Sequence, residues 1–227
     1  MKHKINIRGV IIPNDYKWYY DWFEEDSTCP KDVQKVLDAV ITGDEIEVYI
    51  NSPGGVIDVG SEIYTLLRKQ DNVRIYITGE ACSAASVIAM AGYCEMSPTA
   101  LMMVHCVSSG ARGNHATLEH MAEVLRTADR ALCNAYIAKT GMSQEEALEM
   151  MENETWLTAE QARDRGLIDK VMFEETEELP MVAGHMFSLP NQEQMDKVKR
   201  MIKETDKNVV SLVQQKLNFL KIKGEKR

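Results

Sequence analysis

The sequence predicts an α/β layered domain with parallel strand pairing, and three observations predict it. Short runs rich in β-branched residues alternate with segments of helical periodicity. Two of these runs end in sharp small-residue turns, Asn51-Ser52-Pro53-Gly54-Gly55 and Gly79-Glu80-Ala81-Cys82-Ser83, and a third ends at His105. The 227 residues are 44% hydrophobic and 27% charged, which suits one large domain, alone or with an appendage, and a sizeable core. Disorder, collagen and a disulfide miniprotein are excluded.

Taken in order, Ile5 to Ile12 reads as a strand, followed by an Asn14-Asp15 turn and an aromatic cluster (Tyr16, Trp18, Tyr19, Tyr20, Trp22, Phe23). Pro30 stands where a helix begins, and Val33, Val36, Leu37 and Val40 recur at helical spacing up to Gly43. Glu45 to Ile50 is a short strand that stops at the Asn51–Gly55 turn. A second unit repeats the order: helix from about Asp58 to Lys69, strand Val73 to Thr78, sharp turn, buried helix Ala84 to Ala91, and buried strand Leu101 to Val104. A long helix from Thr117 to Lys139 closes at Gly141, with Met121, Val124, Leu125, Ala128 and Leu132 as its apolar stripe. Two capping boxes, Ser143 with Glu146 and Thr158 with Gln161, each start a short helix. The second helix ends at Gly166 before a strand from Leu167 to Val171.

The formal charge is −9, so the body is a poor non-specific ligand for nucleic acid or anionic membrane. From Asn191 to Arg227, however, ten Lys/Arg face five Asp/Glu, a net of +5 that leaves −14 for the rest. Three regions follow: a domain over 1–172, an acidic linker over 173–190 and a basic amphipathic helical tail over 191–227. Met195, Val198, Ile202, Val209, Leu212 and Phe219 fall at near-heptad positions in that tail, which suits docking on its own ring or on an assembly partner; a solvated, partly disordered terminus is the plain alternative. The five cysteines show no CxxC pair and no zinc-like spacing. Free thiols, a cytoplasmic location, no metal and no cofactor are expected, since no signal peptide or membrane-length apolar run is present.

Three features carry chemistry. Ser52-Pro53-Gly54-Gly55 follows a strand, and consecutive glycines present bare N–H groups to an anion or a developing oxyanion. Ser83 stands at a strand-to-helix junction, where a nucleophile elbow places its serine; capping the helix is the plain alternative, and Ser86 is the rival serine. His105, at the end of an apolar strand, can serve as base for a serine hydroxyl. A carboxylate to orient it is sought among Glu152, Glu154, Asp164 and Asp169. In α/β sheets such sites lie beyond the carboxyl ends of the strands, where both turns and His105 fall.

The run Tyr49-Ile50-Asn51-Ser52-Pro53-Gly54-Gly55, then Gly79 to Ser83 with Gly92 nine residues after the serine, then Met103-Val104-His105, resembles the ClpP family of serine peptidases. Trp156-Leu157-Thr158-Ala159-Glu160-Gln161-Ala162 through Gly166-Leu167-Ile168-Asp169 completes a match over roughly residues 5–172. The resemblance implies a ClpP/crotonase-like fold of repeated β-β-α units, with a long protruding handle helix at the Thr117–Lys139 segment. It also implies a triad of Ser83 as nucleophile, His105 as general base and an acid, with the backbone N–H groups of Gly55 and Ala84 as the oxyanion hole. Aligning Trp156-Leu157-Thr158 puts Glu154 where the family usually has aspartate.

By the same resemblance the chain forms a homo-oligomeric ring, heptameric in the family's pattern and open to stacking in pairs, which acts on polypeptides. The first strand begins within a few residues of Met1, so dependence on an AAA+ unfoldase through an axial gate is not expected. Ile11 to Trp18 and the appended tail look more like the ClpP-related proteases of phages and prophages, which are implicated in processing capsid or scaffold proteins during head maturation. The expected setting is the bacterial cytoplasm, with the chain phage or prophage encoded. Two alternatives stand beside a peptidase: a catalytically inactive ClpP-like scaffold, and a crotonase-like acyl-CoA enzyme, which leaves Ser83 and His105 without a purpose. A Ser-Lys peptidase lacks its base, because no lysine occurs between Gln70 and Lys139.

Overall fold

The computed structural model describes residues 1–174, 195–197 and 200. Its centre is an eight-stranded sheet in which β1 (Lys2–Ile11), β2 (Ser27–Thr28), β3 (Glu45–Gly55), β4 (Val73–Cys82), β5 (Tyr93–Met96) and β8 (Lys170–Val171) pair in parallel in the order β2-β1-β3-β4-β5-β8. The strand β4 is shared: Arg74–Ile77 pair with β5, whereas Glu80–Cys82 pair with β6 (Leu101–Val104). The antiparallel strand β7 (Thr155–Leu157) then adds to β6. The sheet therefore divides along β4, and the carboxyl ends of β4 and β6 come to lie side by side.

The strands alternate between buried and open residues. Ile5, Ile7, Ile46, Val48, Ile50, Ile75 and Ile77 point into the core, under α2 (Pro30–Leu37) through Val33 and Leu37 and α3 (Ile57–Arg68) through Ile63 and Leu67. Each such fully buried aliphatic side chain contributes about 1.5–3 kcal/mol. The opposite face carries polar and aromatic groups: Tyr49 stacks on Tyr76 with ring centroids 5.1 Å apart, and Lys4 lies over the Tyr49 ring. Parallel sheets are ordinarily covered on both faces, whereas among the described residues only one face of this sheet carries helices.

The long helix is α5 (His115–Thr140), capped by Asn114 and ended by Gly141 in the left-handed conformation. Its buried residues are Asp129, Cys133, Ala135 and Tyr136, all in its second half. Leu118 and Val124 are almost half exposed, so the N-terminal part of the helix has no apolar cover within the described chain. Both capping boxes form, at the starts of α6 (Gln144–Glu152) and α7 (Ala159–Asp164).

Several local expectations are corrected. β3 does not stop at Ile50 but pairs through Gly55, because the β1 ladder skips from Asn51 to Gly54 and the β4 ladder ends at Ser52, so neither asks an N–H of Pro53. The expected strand from Leu167 to Val171 shrinks to β8, with Leu167 and Ile168 buried in the turn before it. β5 and β7 were not legible as strands. The aromatic cluster forms a short helix, α1 (Lys17–Trp22), that leaves Tyr16, Trp18, Tyr19, Trp22 and Phe23 exposed.

By contacts the chain divides into a unit over Met1–Glu175 and another over Thr176–Arg227. Residues 195–197 and 200 are helical; most of the expected linker and tail lies outside the described residues.

Candidate active site

The helix α4 (Ala84–Ala89) follows β4 with one residue between them, Ser83. That residue has φ 53° and ψ −124°, a region L-residues rarely occupy and one that functional turns exploit. Small neighbours make the sharp turn possible. A Cβ on Gly54 (φ 97°) would stand 2.6 Å from the Cys82 carbonyl and 2.8 Å from Ser83 Cβ, so the end of β3 touches the turn only because residue 54 lacks a side chain. The Ser83 N–H donates to the Met103 carbonyl at 2.9 Å, fastening the turn to β6. The Ser83 hydroxyl caps nothing in α4.

Instead, Ser83 Oγ lies 2.9 Å from His105 Nε2. His105 follows β6 directly, two residues beyond Met103, the partner of Cys82, so serine and histidine leave adjacent parallel strands within one residue of the same level. The rival Ser86 is fully buried, donates to the Ser83 carbonyl at 2.6 Å and meets the Tyr136 hydroxyl at 2.8 Å. Its hydroxyl belongs to the packing of α4 on α5.

Glu154 comes to the same corner by its backbone. Val104 pairs with Thr155 in the antiparallel β6–β7 ladder, which makes His105 and Glu154 the next residues in register. The Met151 carbonyl accepts from both Cys106 N–H (3.1 Å) and Glu154 N–H (3.2 Å), so one oxygen ties the chain beyond His105 to the chain at Glu154. Glu154 has φ 44°, again the left-handed region. Its carboxylate accepts from the Trp156 indole Nε1 at 3.3 Å, and no hydrogen bond joins it to His105 among the described residues. The other acids are engaged elsewhere: Asp164 pairs with Arg163, and Asp169 with Lys139 and the Cys94 N–H. Glu152 lines a cavity of about 90 Å³ with Cys106 and Asp129.

The second glycine of the turn, Gly55, abuts β1: a Cβ there would fall 2.2 Å from the Ile11 carbonyl, which accepts the Val56 N–H at 2.9 Å. Ser52, wholly buried, braces the turn by donating to the Gly9 carbonyl at 2.6 Å and accepting the Gly54 N–H at 3.1 Å. Asn51 accepts the Glu80 N–H at 3.2 Å and so holds β3 to the approach of the Ser83 turn. The bracing roles of Asn51, Ser52 and Gly54 were not read from the sequence, although all three lie in the motif that drew attention to Gly55. The cysteines flanking the pair are held as thiols: burial, with the nearby Glu80 carboxylate, pushes Cys82 up to about 12, and burial with Asp129 pushes Cys106 up to about 11. At neutral pH the hydroxyl of Ser83 faces no competing thiolate from either neighbour.

A serine at a strand-to-helix turn, hydrogen-bonded to a histidine just beyond the adjacent strand, has the geometry that serine hydrolases use. The family model for Clp protease matches residues 32–175, and the chain belongs to the Clp protease family. It is thus a ClpP-type peptidase of the serine class, from a family whose members generally form oligomeric rings and act on polypeptides. No helix among the described residues is long and apolar enough to cross a membrane.

Proposed function

We propose that this protein is a serine endopeptidase in which Ser83 is the nucleophile, His105 the general base and Glu154 the orienting acid. The observation that carries the reading is the 2.9 Å contact between Ser83 Oγ and His105 Nε2 at a turn strained into φ 53°. Ser83 Oγ attacks the scissile carbonyl carbon while its proton passes to His105 Nε2, and the backbone N–H groups of Gly55 and Ala84 receive the oxyanion. Collapse expels the amine, which takes the proton from His105. Water, deprotonated by His105, then releases the acyl group and restores Ser83. For Glu154 to orient the imidazole, its carboxylate exchanges the Trp156 indole for His105 Nδ1–H, a charge-assisted bond once imidazolium forms.

The physiological substrate in this reading is a phage capsid or scaffold polypeptide, supported by the resemblance of Ile11–Trp18 and the appended tail to phage and prophage proteases. The domain limits 1–172, 173–190 and 191–227 belong to the same reading. A homo-oligomeric ring, with α5 as the handle between stacked rings, is supported by the exposed Leu118 and Val124 on its N-terminal half.

Fluorophosphonate labelling with the modified residue mapped by mass spectrometry tests the chemistry. Labelling at Ser83, absent in Ser83→Ala and strongly slowed in His105→Ala, is expected; an unlabelled parent oligomer, or labelling indifferent to His105, overturns the assignment. Cleavage of a co-expressed capsid or scaffold protein by the parent and not by Ser83→Ala tests the substrate.

A further inference from the structure

One buried carboxylate has no part in the proposed reaction. Asp129 lies in the middle of α5, only 8% exposed, where a helix ordinarily turns an aspartate to solvent. Burying a carboxylate costs several kcal/mol unless hydrogen bonds satisfy it. The bond comes from the segment that leaves His105: Asp129 Oδ1 accepts the Val107 N–H at 2.7 Å, and the Cys106 thiol, held protonated by burial, lines the same small cavity as the carboxylate.

The location matters because β6 has ended at Val104. Residues 105–112 have no regular structure, so ladder bonds no longer fix the chain that carries the imidazole. The two N–H groups that follow His105 are nevertheless both held: Cys106 by the Met151 carbonyl of α6 and Val107 by Asp129 of α5. A carboxylate suits this task better than an amide, since its charge strengthens the bond it accepts.

The geometry points to Asp129 as a positioning residue that clamps the chain after His105 to α5 and so keeps the imidazole within reach of Ser83 Oγ. This rests on the reading of Ser83 and His105 as the reacting pair. Misplacing a reacting group by 1 Å can slow a reaction about 100-fold, so losing the clamp acts on rate before it acts on fold.

The test compares fluorophosphonate labelling rates at Ser83 in the full chain with melting temperatures. Asp129→Ala is expected to slow labelling by about 10- to 100-fold, with kcat for a small peptide ester falling and KM unchanged. Asp129→Asn, which keeps an acceptor for Val107, is expected to rescue most of the rate. Val33→Ala, a cavity in α2 outside the site, serves as the control: it should lower the melting temperature and leave labelling unchanged. If Asp129→Ala yields no folded protein, Asp129→Glu reads the same quantity, since it keeps the charge but displaces the acceptor by one methylene. Parental labelling in a folded Asp129→Ala or Asp129→Glu variant, or equal slowing in Val33→Ala, overturns the inference while leaving the Ser83 assignment intact. An unlabelled parent overturns that assignment and this inference with it.

Discussion

Holding Ser83 at φ 53° and ψ −124° costs about 1–3 kcal/mol for a non-glycine residue. Ser83→Gly should therefore raise stability by up to about 1 kcal/mol, whereas Ser83→Ala, which keeps the Cβ, should leave it nearly unchanged; both lose labelling, and denaturant titration separates them. Glu154, at φ 44°, stands in a similar position, one methylene longer than the aspartate its family usually places there. Glu154→Gln should lower kcat by about 10²- to 10⁴-fold, the range expected when a triad loses its orienting charge, and Glu154→Asp should retain much more of it. At this scale the sequence revealed the residues that end strands. Ser83 and His105 stand where apolar runs break, and that break is visible in one dimension. Asp129 was missed because a helical aspartate looks like a solvated face, and only the packing of the chain after His105 against α5 makes it buried.

Helix starts were legible because their signals are local. Ser143 and Glu146 satisfy each other's backbone N–H groups at the start of α6, as Thr158 and Gln161 do for α7, and each box was readable from two residue types three apart. The two boxes differ in one respect. The hydrogen bonds from Ser143 N–H and side chain hold the Glu146 carboxyl below its ordinary 4.5, while Gln161 does not titrate. A depressed carboxyl stabilises the fold above its unfolded value and loses that contribution as pH falls through the folded one. Glu146→Gln should accordingly melt below the parent at neutral pH, and the gap should close as the pH is taken below about 4; Gln161→Ala should show a gap independent of pH over the same range. Strands β5 and β7 were illegible for the converse reason. They are four and three residues long and owe their conformation to partners, β4 and β8 in one case and β6 in the other. Pro53, read from the sequence as part of the turn that ends β3, is tolerated within the strand because the β1 ladder skips it and the β4 ladder ends at Ser52.

For the whole molecule, the alternation of strands and helices foretold a parallel α/β sheet, but not that β4 would serve two neighbours and so bring Ser83 beside His105. Nor does the sequence tell that Leu118 and Val124, in the first half of α5, stay almost half exposed in the described chain. If α5 supplies contacts between rings, Val124→Asp should convert the assembly to a smaller species in sedimentation or light scattering, with the far-ultraviolet circular dichroism unchanged. A further consequence is spectroscopic and comes from α1. The three tryptophans of the chain, Trp18, Trp22 and Trp156, are 71%, 79% and 51% exposed, and none lies in the core. Intrinsic emission from the separate subunit should then peak at long wavelength, as for indole in water, and shift little when denaturant unfolds it. It should move to the blue only when another surface covers α1 or displaces solvent from Trp156 beside Glu154. Tryptophan fluorescence, ordinarily a gauge of folding, is in this protein a gauge of what its surface touches.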